Sequence, residues 1–153
     1  MATSTVVAPA GPPSSSPLTA DAVHAALTAP AMSAVPAARV FRDLEGALQS
    51  ELLPAIAVET GDEPSPVRPV IGHKQRRVDI DVTVIAQGGY ASADAALLEA
   101  FGRLVADPSL GGLVFELEEG ATRRQRQDGE RPLVAVTKTW SAQYRTAENS
   151  LEA

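Results

Sequence analysis

The chain contains no cysteine. This excludes a disulfide framework, thiolate zinc sites and a cysteine nucleophile. Aromatic side chains are scarce, at three Phe, two Tyr and one Trp in 153 residues, so aliphatic residues must fill the core. Histidine is limited to His24 and His73. Neither has a GxSxG partner or a companion at metal-ligand spacing, so both read as ordinary structural histidines. Gly88-Gly89 and Gly111-Gly112 lack the lysine and hydroxyl of a P-loop and the spacing of a dinucleotide fingerprint, and read as turns. No apolar run approaches the roughly 18–20 residues of a membrane span. The first residues carry no Lys or Arg ahead of an apolar stretch, unlike a secretory signal. Positive charge is in the minority, with 13 Lys+Arg against 19 Asp+Glu and a net charge of -6. That balance argues against a sequence-reading DNA binder.

Hydrophobic residues make up 44% of the chain, but 27 of them are Ala, which suits one modest core rather than two. Residues 1–17 have no charged side chain and hold Pro9, Pro12, Pro13 and Pro17 beside Ser14, Ser15 and Ser16. Alone, such a segment buries too little apolar surface to offset its ordering entropy. It is expected to be an extended arm, without helix or strand, that contacts an adjacent subunit or the neighbouring ring. Residues 18–148 then form the domain, and 149–153 a short tail.

A first helix is expected from Thr19 as N-cap to Pro30, with Val23, Ala26 and Leu27 on one side. Short strands are expected at 39–42 and 55–58; residues 43–53 are ambiguous because Gly46 interrupts the Leu44, Leu48, Leu52 spacing. The Gly- and Pro-rich 61–66 reads as a loop, and His73 as a loop residue after it. Residues 76–86 alternate Val78, Ile80, Val82 and Val84 with polar residues, the pattern of a half-buried antiparallel strand. A second helix is expected from Ser92, with Leu97, Leu98, Phe101, Leu104 and Val105 as its apolar stripe, ended by Asp107-Pro108. A strand over 113–118, a polar hairpin loop over 121–131 and a long strand over 133–146 complete the order. On that last strand Trp140 is expected to be buried against the second helix, next to Phe101. The fold class is therefore α+β: a mostly antiparallel β-sheet with two helices packed on one face and a long β-hairpin near the C-terminus.

Chemistry is hard to assemble from what remains. Asp79 with Asp81, and Glu116 with Glu118, each share a strand face; if the strands were neighbours, the four carboxylates could hold Mg²⁺ as in a nuclease. The same spacing arises on any solvent-facing strand, with Arg76, Arg77, Lys138 and Arg145 as cross-strand partners. A small-ligand domain would need an apolar pocket, which few aromatics can line. The basic clusters Arg68, Lys74, Arg76, Arg77 and Arg123, Arg124, Arg126 have no interleaved aromatics to stack nucleic-acid bases; they suit either a solvent-facing surface or an acidic partner. No catalytic residue, cofactor or metal ligand is assigned.

The run Leu53-Pro54-Ala55-Ile56-Ala57-Val58-Glu59, followed by Gly61-Asp62-Glu63, resembles the LPAIxV…GxE segment of phage tail terminator proteins, the lambda-type minor tail protein U family. The pieces that follow keep that family's order: the strand from Arg77 to Val84, the helix from Ala93 to Leu104, Leu110-Gly111-Gly112-Leu113, and a closing strand ending Tyr144-Arg145-Thr146. The resemblance spans about residues 19–146, and the uncharged N-terminal segment departs from it. It implies a non-enzymatic virion protein at the head-proximal end of the tail, assembled in the host cytoplasm. Such a protein forms a homo-hexameric ring, ends tail-tube polymerisation, and meets the tail tube protein and the head–tail connector or neck proteins. DNA passes through the lumen without sequence-specific binding, and no membrane is involved. A head-completion or head–tail joining protein of similar fold is the alternative within the same particle. Arg76, Arg77, Arg123, Arg124, Arg126 and Asp128 are the expected assembly contacts, the last four carried by the hairpin loop.

Overall fold

The computed structural model describes residues 16–42, 53–70, 72–128 and 132–147. Its elements run α1 (Ser16–Thr28), a 3₁₀ turn (Ala37–Arg39), β1 (Val40–Arg42), β2 (Ala55–Thr60), β3 (Val67–Val70), β4 (His73–Gln87), α2 (Tyr90–Ala106), β5 (Glu116–Gln127) and β6 (Leu133–Ala147). The strands form one sheet in the order β1-β2-β4-β6-β5, with β3 also paired to β4. Only β1 and β2 pair in parallel; every other ladder is antiparallel. Both helices pack on one face, as the sequence pattern implied.

The β4–β6 ladder is the backbone of the fold. It pairs His73 with Ala147 at one end and Gln87 with Leu133 at the other without a break. Even-numbered residues of both strands face the helices, so Val78, Ile80, Val82, Val84, Val134, Val136, Trp140, Ala142 and Tyr144 are all buried. Because β4 runs through α2 to β5 on the far side of β6, β4-α2-β5 is a crossover joining parallel strands.

Several expected boundaries shift. Helix α1 begins at Ser16, ahead of Thr19, whose side chain is buried. The arm therefore cannot extend to residue 17; residues 1–15, like 43–52 and the tail 149–153, lie outside the described part of the chain. Helix α2 begins at Tyr90 with Gly89 as N-cap, two residues before Ser92. His73 opens β4 rather than sitting in a loop, because β4 continues past the obvious alternation into Lys74 and Arg76. Strand β3 was not legible as a strand, since Pro66 and Pro69 flank and interrupt it. The segment before β5 is a turn through Leu110, Gly111 and Gly112, all with positive φ, so the strand starts at Glu116 and not at 113.

The apolar stripe of α2 is also displaced. Its sheet-facing residues are Ala93, Ala96, Ala100 and Leu104, while Leu98 and Val105 are 72% and 52% exposed. Alanine lets the helix axis sit close to the sheet, and Trp140 fills the remaining space. That indole is 2% exposed, and its ring centroid lies 5.6 Å from that of Phe101 at an interplanar angle of 42°.

The largest correction concerns residues 121–131. Residues 121–127 are not loop but the second half of β5, paired with β6 up to Gln127 opposite Leu133. Between Glu119 opposite Trp140 and Thr122 opposite Lys138, two residues of β5 face one of β6. This is a β-bulge, and it reverses which residues face the helices. Leu117 and Glu119 point that way before it; Thr122, Arg124 and Arg126 do so after it.

Helix α2 clamps the segment that follows α1. Glu99 accepts hydrogen bonds from the backbone N–H groups of Ser33 and Ala34, both at 2.8 Å. Arg103, one turn on, donates to the carbonyls of Ala26, Pro30 and Ala31. Those two amide donors, aided by the Arg103 guanidinium, hold the Glu99 carboxyl below its ordinary value of 4.5. A lowered pKa stabilises the fold above the unfolded-state value, and that contribution is lost as pH falls through the folded value. Glu99→Gln is expected to cost about 1–2 kcal/mol near neutral pH, in the range of hydrogen bonds to a charged group. Urea unfolding of both proteins checks it: their difference should shrink steadily below pH 4.5, and a difference independent of pH would contradict this role.

Candidate assembly surface

The face of the sheet opposite α1 and α2 is divided along its strands. Cross-strand rows place Phe41, Ala57, Thr83, Thr137 and Arg123 side by side, and next to them Ala55, Ile85, Ala135 and Gln125. Thr83 and Thr137 join hydroxyls at 2.9 Å in the first of these rows. Further along, Glu59 and Asp81 share a row with Thr139, and Asp79 shares one with Ser141 and Glu118. One end is thus neutral and weakly apolar, and the other is acidic. An alternating strand pattern generates such a face whenever only one side is covered by helices.

The carboxylates suspected of metal binding are not gathered. Strand β6 lies between β4, which carries Asp79 and Asp81, and β5, which carries Glu116 and Glu118. Two strand spacings, roughly 9–10 Å, separate them. Asp81 instead accepts from the Thr139 hydroxyl at 2.7 Å, and Arg77 lies 4.0 Å from Asp79. No cluster of three metal-ligating side chains occurs among the described residues. His24 has its Nε2 2.9 Å from the Val40 carbonyl oxygen, which ties α1 to β1.

The six expected contact residues do not form one patch. Arg76 faces the helix side and donates to the Thr146 hydroxyl at 2.8 Å, whereas Arg77 faces the open side. Arg123 also faces the open side, but the bulge turns Arg124 and Arg126 to the helix side. Arg124 pairs with Asp94 of α2 at 3.4 Å, and Arg126 with Asp128 at 3.3 Å. Along β6, Arg77 lies opposite Gln143 and Arg124 opposite Val136, so the two basic clusters stand roughly 23 Å apart.

Two polar anchors sit at the margins of the core, of which the sequence pointed only to Lys138, as a cross-strand partner of a carboxylate. Lys138, only 8% exposed on the helix-facing side of β6, donates to Glu119 at 2.7 Å. Its interruption of an apolar alternation was the available signal. The buried Tyr144 hydroxyl donates to Glu63 at 2.6 Å, fastening the segment after β2 to β6. No local pattern announces that pair, because its members are far apart in sequence.

This is the α+β class defined by a mostly antiparallel sheet with two helices on one face, one of them crossing from β4 to the edge strand. No family model and no curated protein matches the sequence. Among solved structures, the fold is similar to a chain in the virion of a native gene transfer agent particle. The likeness has a TM-score of 0.62 at 20% identity and covers 83% of this chain and 94% of the other.

Proposed function

We propose that the protein is a structural component of a phage-like virion, and within it the tail terminator: a homo-hexameric ring on the head-proximal end of the tail tube. The observation that carries this reading is the fold shared with almost the full length of a virion chain. The collinear resemblance of residues 53–146 to tail terminators supports the finer assignment. In this role the ring stops the addition of tube subunits, offers the opposite surface to neck or connector proteins, and leaves a lumen for DNA.

The sheet fits the task physically. Strand β5 is a twelve-residue edge, and β1 is the edge on the other side. Unpaired edges supply surface for neighbours, and head-to-tail contacts close into a ring when the rotation permits. The charged side chains along β5 keep that edge from pairing indiscriminately before assembly.

The test is removal of the protein from cells that make the particle. Tubes that overrun their normal length, together with tailless heads, are the expected result. Tails of normal length that fail to join heads would assign the protein to the neck instead. Gold-labelled antibody on intact particles gives the position independently and should mark the head-proximal end of the tube.

A further inference from the structure

An open groove of about 380 Å³ runs between α2 and β5. Leu97, Leu98 and Phe101 line it, together with Asp94, Arg124 and Lys138. Leu98 is the most exposed large apolar side chain among the described residues. The charged groups of the groove are already paired within the molecule: Arg124 with Asp94 at 3.4 Å, and Lys138 with Glu119 at 2.7 Å. What remains is an apolar trough with a neutralised rim, which favours an uncharged occupant, since a new charge would enter without a free partner.

The chain contains one long segment of that chemistry. Residues 1–15 carry no charged side chain and include Val6 and Val7 with Pro9, Pro12 and Pro13, residues that favour polyproline-like backbone. Fifteen residues in a polyproline-like conformation span about 46 Å. They lead into Ser16 at the start of α1. Helix α1 packs on β1 and β2 at one side of the sheet, whereas the groove opens beside β5 at the other. The chain's own groove lies on the far side of α2 from α1. If the ring joins the two edges of the sheet, the β1 side of one copy meets the β5 side of the next.

We propose that residues 1–15 of one copy lie in the α2–β5 groove of the adjacent copy, with Val6 and Val7 against Leu98 and Phe101. The inference rests on the head-to-tail ring proposed above. It assigns the groove a definite occupant, a second copy of this chain.

The absence of native cysteine makes the test direct. Full-length protein carrying Val7→Cys is mixed with an epitope-tagged full-length copy carrying Leu98→Cys and treated with a short bismaleimide. A copy carrying Glu118→Cys, on the opposite face, measures background, and a chain carrying both Val7→Cys and Leu98→Cys reports linkage within one molecule. The expected result is a product between copies at least tenfold above the Glu118→Cys background, with little internal product. Predominantly internal linkage would overturn the proposal in favour of a segment folded onto its own domain. Linkage at background in both arrangements would overturn it in favour of another occupant. Light scattering on the same samples separates this from the ring reading. Hexamers without the cross-link leave the ring intact and remove only the arm contact. Cross-linked pairs that never exceed two copies leave the contact and remove the ring.

Discussion

Trp140→Ala is expected to lose about 3–5 kcal/mol of stability, the largest effect of any single truncation in this core. The indole is nearly fully buried and meets the Phe101 ring in a tilted arrangement, centroids 5.6 Å apart. Most of the sheet-facing side of α2 is Ala93, Ala96 and Ala100, whose methyl groups are too short to reach into the space the indole leaves. A cavity that cannot close adds to the lost transfer energy. Urea unfolding followed by circular dichroism measures the loss, since the variant has no tryptophan to report it. Trp140→Phe retains an aromatic partner for Phe101 and should lose substantially less. A cost below about 1 kcal/mol for Trp140→Ala would show that the helix resettles on the sheet, and that the alanine face does not set the spacing.

Gly120→Ala is expected to cost about 1–3 kcal/mol, as overpacking against fixed neighbours does. A Cβ at this position would lie 2.6 Å from the Thr139 carbonyl oxygen and 3.3 Å from its carbonyl carbon. Both are backbone atoms of the central hairpin, so the β5–β6 ladder must part at the bulge. The damage should be local: amide exchange should quicken at residues 122–127 and 133–138 while the β4 ladder with β2 stays protected. Gly102→Ala is the matched comparison. Its Cβ would meet nothing within 4 Å, and it lies inside α2, where alanine gains about 0.5–1 kcal/mol over glycine. If the two substitutions had similar effects, the bulge would not depend on glycine.

The arginines of β5 show how a tertiary feature can hide a strand. Residues 121–127 read as a polar loop because no apolar residue alternates there. The bulge at Gly120 reverses the facing of every later residue, and the edge position leaves both faces of the strand partly wet. Thr122, Arg124 and Arg126 therefore occupy helix-side positions that an unbroken alternation would have filled with apolar residues. The polar run is consistent with an edge strand, but only the register against β6 distinguishes that from a loop.

Elements whose stability comes from local pattern are legible without the fold. Val78, Ile80, Val82 and Val84 dictate a half-buried β4, because side chains two residues apart must share a face. Val134, Val136, Trp140, Ala142 and Tyr144 dictate β6 for the same reason, and Asp107-Pro108 ends α2 because proline cannot continue a helix. The α+β class follows from those pieces and their order. Which side of α2 is buried follows instead from packing against the sheet. Packing distance to the sheet selected the small Ala93, Ala96 and Ala100 over the more hydrophobic Leu98 and Val105. The tertiary structure also decided that the four suspected carboxylates stay apart, because β6 inserts between β4 and β5, and strand order is a long-range choice no window of sequence encodes. The groove beside Leu98 follows from the same two decisions: a helix seated on its alanines turns its leucine outward, next to an edge strand placed there by the crossover.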